Sequence, residues 1–160
     1  MSYAIVYSSR TGNTALLAHA IREALPSEEC RYFGPPAPES LSAGTLYVGF
    51  WTDKGTCDES TAAFLKSLTN QQIFLFGTAG FGGAPAYFEQ ILNRVRENLA
   101  PGVQVTGTYM CQGKMPQAVR TRYESMEESP RRTAMLANFD EAMHHPDQQD
   151  LEALRAAVAE

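Results

Sequence analysis

The run Tyr3-Ala4-Ile5-Val6-Tyr7 passes directly into Ser8-Ser9-Arg10-Thr11-Gly12-Asn13-Thr14, and that junction limits what this chain can fold into. Five uncharged, β-favouring residues read as a strand covered on both faces, the habit of a parallel sheet. Behind the loop, Leu17, Ile21 and Leu25 recur at four-residue spacing until Pro26 stops the helix. A strand feeding a helix through such a loop makes a cup for an anion. The first helical turn has unpaired N–H groups and the positive end of the macrodipole. Ser9, Thr11 and Thr14 add hydroxyls, and Gly12 lets the backbone come close.

The cup is not that of a nucleoside triphosphatase, which needs Gly-x-x-x-x-Gly-Lys-Ser/Thr; this loop has one glycine and no lysine. The dinucleotide pattern Gly-x-Gly-x-x-Gly is missing from it as well. A hydroxyl-rich loop suits one terminal phosphate monoester, held mainly by dipoles.

Further strands and helices alternate along the chain. Strands are expected at 29–33, 46–51, 72–76 and within 102–110, where Gly107 suggests a bulge. Asp58 is placed to cap a helix burying Phe64, Leu65 and Leu68, and Pro85 to open one whose apolar face includes Ile91, Leu92 and Val95. Ser129-Pro130 starts a helix carrying Leu136, Phe139 and Met143, and Asp147 caps a last one bearing Leu151, Leu154 and Val158. Parallel strands joined by right-handed crossovers give an α/β, doubly wound sheet with helices on both faces. Residues 1–160 are expected to form a single domain.

Eighteen Asp and Glu against 13 Lys and Arg disfavour a nucleic-acid partner. The sequence has neither an apolar run of about 18 residues nor a basic-then-apolar start, so a cytoplasmic protein without a membrane partner is expected. Cys30, Cys57 and Cys111 lack Cys-x-x-Cys spacing, which points to reduced, inert thiols. His19, His144 and His145 show no metal-ligand spacing with a cysteine or carboxylate pair and read as surface or capping residues. No catalytic base, nucleophile or metal site is visible beside the cup.

Ser9-x-Thr11-Gly12-x-Thr14 directly after an N-terminal strand resembles the phosphate loop of flavodoxins, which hold flavin mononucleotide (FMN). The resemblance implies five parallel strands in the order 2-1-3-4-5, with the ligand beyond the carboxyl ends of strands one and three. It implies that Ser9, Arg10, Thr11, Gly12, Asn13 and Thr14 surround phosphate. Trp51, Thr52, Asp53, Lys54 and Gly55 would approach the flavin ring from one side, with a peptide near Asp53 or Gly55 able to bond flavin N5. Thr78, Ala79, Gly80, Phe81 and Gly82 would approach it from the other. An exposed Trp51 and Phe81 on loops suit a flat, partly apolar ring. The alternative is that each turns into the core.

Two departures stand out. The acidic cluster familiar around the family's flavin ring is missing, and Lys54 sits beside Asp53. Residues 112–128 form an extra piece with Lys114, Arg120 and Arg122 against Glu124, Glu127 and Glu128, read as a solvated, partly helical surface or as a docking site. The implied function is electron transfer between a donor reductase and an acceptor oxidoreductase. The alternatives are an FMN-dependent NAD(P)H or quinone reductase acting alone and, from another class, a phosphate-sensing interaction module.

Overall fold

The computed structural model describes residues 1–81 and 84–159. Its strands are β1 (Tyr3–Tyr7), β2 (Cys30–Gly34), β3 (Thr45–Asp53), β4 (Thr56–Cys57), β5 (Gln72–Ala79) and β6 (Gln104–Gln112). Its α-helices are α1 (Asn13–Ala24), α2 (Glu59–Lys66), α3 (Pro85–Arg96), α4 (Gln117–Glu124), α5 (Pro130–Ala142) and α6 (Gln148–Ala159). All neighbours in the order β2-β1-β3-β5-β6 are parallel. Apart from the two-residue β4, this is the flavodoxin-like order 2-1-3-4-5.

Two loops are shorter than the sequence suggests. Residues 51–57 are not an open loop: β3 runs to Asp53, turns through Lys54 and Gly55, and returns antiparallel as β4. Both turn residues have positive φ, 54° and 85°, the requirement of a type I′ hairpin, and Gly55 meets it without a Cβ penalty. The Arg94 guanidinium donates to the Gly55 carbonyl at 3.1 Å and ties the hairpin to α3. Likewise 77–79 belong to β5, because β6 continues alongside as far as Gln112. The pairing of β5 with β6 skips Thr106, so the bulge expected near Gly107 is present.

The sheet buries one apolar cluster on each face. Leu17 and Ile21 of α1 join Leu154 and Val158 of α6 over Ile5 and Phe76. On the other face, Phe64 and Leu65 of α2 and Ile91, Leu92 and Val95 of α3 cover Val48, Phe50 and Leu75. Phe139 of α5 is buried, but Met143 is 49% exposed: α5 ends at Ala142, and Met143 forms its cap instead of a further buried turn. Arg132 of α5 donates to the carbonyls of Tyr123 and Glu124 at 3.1 Å each, capping the end of α4 with a cation. No helix among the described residues is long and apolar enough to cross a membrane.

The start of α6 corrects the reading of His145. Asp147 N–H donates to Asp150 Oδ2 at 2.8 Å and Asp150 N–H to Asp147 Oδ1 at 2.9 Å, a reciprocal cap. The same turn brings His145 Nδ1 to 2.6 Å from Asp150 Oδ2. His145, Asp147 and Asp150 therefore do cluster, with ligand atoms within 4.8 Å of one another. Both carboxylates also accept from the backbone, which accounts for the cluster as a cap. Hydrogen bonding to Asp150 raises the His145 pKa, burial opposes this, and Glu141 adds to the rise. A histidine raised in the folded state contributes stability that is complete below its unfolded value of about 6.5 and fades as pH climbs through the folded value. The melting-temperature advantage of the wild type over His145→Gln should therefore be larger near pH 6 than near pH 9; an advantage independent of pH would show that the imidazolium contributes nothing.

Candidate functional site

The carboxyl ends of β1, β3 and β5 bring the three implicated segments to one edge. Gly12 caps α1 with φ 93° and Asn13 is the first helical residue, so the first-turn N–H groups face the loop as the sequence requires. Ser9 Oγ accepts from Ala15 N–H at 3.3 Å and braces the loop from behind. Thr14 does not face the cup. It is fully buried, donates to the Phe50 carbonyl at 3.0 Å and lies 3.3 Å from Thr78 Oγ1, pinning α1 to β3 and β5.

The segment after β6 closes the cup from the opposite side. The Lys114 carbonyl accepts from Asn13 Nδ2 at 2.8 Å and from Thr11 Oγ1 at 3.4 Å. Gly113 N–H donates to the Ala79 carbonyl at 3.0 Å, and Lys114 N–H to the His145 carbonyl at 3.1 Å. The chain leaving β5 is held just as firmly: the Gly80 carbonyl accepts from Gln112 Nε2 at 2.9 Å and from Asn138 Nδ2 at 3.1 Å.

A cavity of about 320 Å³ opens between these walls. From the first loop it is lined by Arg10, Thr11 and Asn13, and from the hairpin by Trp51, Thr52, Lys54 and Gly55. Thr78, Ala79, Gly80 and Phe81 line it from the end of β5. Neither aromatic has turned into the core: Trp51 is half-buried with the Arg10 guanidinium 5.4 Å from its ring centroid, and Phe81 is 41% exposed. Ser9, Gly12, Thr14 and Asp53 stand outside the lining, Asp53 being paired with Thr56 in the hairpin. Gly82 lies outside the described residues.

The residues that sequence reasoning missed come mostly from the extra piece. Lys114, Met115, Pro116, Val119, Arg122 and the buried Tyr123 line the cavity, with Tyr87 of α3. That piece is a wall of the site as well as a surface. Its position was the available signal, because whatever leaves a parallel strand at this edge starts beside the other exit loops. The walls also carry full charges as well as dipoles: Arg10, Lys54, Lys114 and Arg122 line the cavity, and among the described residues no carboxylate does.

Asp58 sets the position of Trp51. Its buried carboxylate accepts from Trp51 N–H at 3.3 Å, Ser60 Oγ at 3.0 Å, Thr61 N–H at 3.2 Å and Thr61 Oγ1 at 2.9 Å. Asp58→Ala removes the cap of α2 and orphans these donors, so a loss of about 2–3 kcal/mol is expected. Calorimetry should show the melting point lowered by roughly 5–10 °C; a shift under about 2 °C would mean that water replaces the carboxylate. Next to it, burial and the Asp58 charge push the Cys57 thiol up to about 11, so it stays protonated and unreactive near neutrality.

A model of the flavodoxin domain matches residues 4–159. The chain belongs to the flavodoxin family. It is 42% identical to the flavodoxin-like domain-containing protein BilS of Clostridium symbiosum (strain WAL-14163), over 97% of this chain and 93% of that relative. The BilS protein of Clostridioides difficile (strain CD3) is 26% identical, over 94% of this chain and 90% of that one. Among solved structures, a flavoprotein from Lactobacillus acidophilus NCFM in complex with FMN superposes with a TM-score of 0.54 at 13% identity, covering 69% of this chain and 93% of that one. A short-chain flavodoxin associated with a non-canonical PDU bacterial microcompartment gives 0.54 at 17% identity, covering 89% and 97%. At such identities these two structures speak for the family's fold alone.

Proposed function

We propose that this flavodoxin-domain protein binds FMN and passes electrons between a reductase and an acceptor oxidoreductase that dock at the cavity mouth, beside residues 113–123. The observation that carries the reading is the mixed make-up of the cavity wall. First-turn N–H groups of α1, Thr11, Arg10 and the Lys114 clasp suit a phosphate. Trp51, Phe81 and Tyr87 supply aromatic surface for a flat ring. A volume of about 320 Å³ lies in the range of small-molecule sites.

Bound FMN supplies one- and two-electron redox chemistry, while the chain holds it and sets the charge around it. Arg10 and the loop amides would neutralise phosphate, Trp51 and Phe81 would exclude water from the ring faces, and Lys54 would favour added negative charge. For a one-electron couple, about 1.4 kcal/mol of preference between redox states is 59 mV. Absorption spectroscopy of the purified protein titrated with FMN tests the reading. Flavin bands and saturable binding are expected; a colourless protein that takes up no FMN would end it. Rapid NAD(P)H oxidation with a quinone and no second protein would favour the reductase.

A further inference from the structure

We infer that the redox partner of this site presents a carboxylate-rich face, an inference that rests on the electron-transfer reading above. The chain as a whole is acidic, with a formal net charge of −5. Its cavity is not. Arg10, Lys54, Lys114 and Arg122 all line it and all are exposed, so they ring the mouth, while among the described residues no side-chain carboxylate contributes to the lining.

These cations are also left without counter-charges. Among the described residues only two arginines are paired with carboxylates, Arg120 with Glu124 and Asp140 at 3.2 Å each and Arg155 with Glu23 at 3.9 Å. Among the described residues, none of the four around the mouth has a carboxylate oxygen within 4.0 Å. A phosphate monoester carries at most about two negative charges near neutrality, so an excess of roughly two positive charges remains with FMN in place. Charges of one sign around a cleft with low-dielectric walls focus the field there, and within a Debye length of about 10 Å that field, more than the net charge, is what an approaching surface meets.

The rest of the mouth has the character of a protein contact. Phe81 is 41% exposed, and with Tyr87 it also borders a second hollow, walled by Ala84, Met135 and Arg131. An exposed aromatic with apolar neighbours inside a cationic rim is the arrangement of an interface centre and its border. The complementary surface has an apolar centre and a border of Asp and Glu.

Redox probes of opposite charge test the sign of this field. Protein saturated with FMN and chemically reduced is mixed with ferricyanide, an anion, or hexaammineruthenium(III), a cation, in stopped flow between about 0.01 and 0.3 M salt. The ferricyanide rate should fall several-fold as salt rises and the ruthenium rate should climb. The opposite pair of trends, which a net charge of −5 dictates, overturns the proposal. In Lys54→Glu and Arg122→Glu, the ratio of ferricyanide to ruthenium rates should drop about tenfold. Using the ratio removes any change in driving force common to both probes, and an unchanged ratio counts against the collar.

A second measurement does not need flavin. Trp51 is the chain's one tryptophan and stands in the wall, so its fluorescence reports the local potential. In flavin-free protein, iodide should quench it more than caesium does, each normalised to free N-acetyltryptophanamide; equal or reversed quenching refutes the collar. If no FMN is taken up, the electron-transfer reading fails while this result still decides the charge. Finally, poly-L-glutamate should slow ferricyanide oxidation and shift Trp51 emission, whereas poly-L-lysine should do neither. Strong iodide quenching with no response to poly-L-glutamate would assign the collar to small anions and overturn the acidic partner.

Discussion

Replacing Gly49 or Gly77 by alanine is expected to remove about 3 kcal/mol of stability, the upper part of the overpacking range, and to lower the melting point by roughly 6–12 °C. On adjacent strands Gly49 of β3 stands opposite Phe76 of β5, and Phe50 of β3 opposite Gly77 of β5. Each ring lies over the neighbouring glycine, one on each face of the sheet. A methyl group on Gly49 would overlap the Phe76 ring and come to 3.0 Å from Thr14 Cγ2, and one on Gly77 would overlap the Phe50 ring. Both rings are completely buried and have nowhere to retreat. Gly44 provides the control. It is exposed, with only Ser2 atoms at 3.4 Å or beyond, so Gly44→Ala should stay within about 0.5 kcal/mol. Thermal melts of the three variants check this, and equal behaviour of all three would show that the sheet relaxes around the added carbon.

Placing a carboxylate in the anion cup should have the largest effect on binding. Thr11→Asp is expected to weaken FMN at least about 100-fold, since setting like charges together costs several kcal/mol and each 1.4 kcal/mol is tenfold. Thr11 lines the cavity and its hydroxyl faces the Lys114 carbonyl, so the new charge stands at the mouth of the cup. Riboflavin, the same ring and polyol without phosphate, should change by less than about tenfold. Fluorescence titration with both flavins separates local repulsion from misfolding. Equal losses for both would mean that the phosphate does not sit at residues 9–14.

Much of this was legible in the sequence, because it rests on local chemistry. The strand at Tyr3–Tyr7, the caps at Asp58 and Ser129 and the Pro85 start each follow from a few neighbouring residues. Longer-range decisions were not legible. The Lys54-Gly55 turn lacks the Asn-Gly or Asp-Gly that marks most such hairpins, and it is supported by Arg94, 39 residues away. Thr14 turns inward to bridge β3 and β5, contacts set by the pairing of strands far along the chain. The start of the 113–123 wall is held by main-chain hydrogen bonding of residues 113 and 114 to Ala79, Asn13 and His145, and its end by Arg132 of α5, partners that lie far away in the chain. Trp51 and Phe81 were placed by their position at strand ends, and the same position explains why both reached the cavity.

The clasp between the first loop and residue 114 is made through a peptide oxygen, to which Asn13 and Thr11 donate, and the exposed lysine side chain at that position takes no part in it. Architecture and charge are thus separable at this position. Any residue but proline, which lacks the N–H bonded to His145, can keep the bracket, so the sign of the entrance can be rewritten by mutation at 114 without rebuilding the wall.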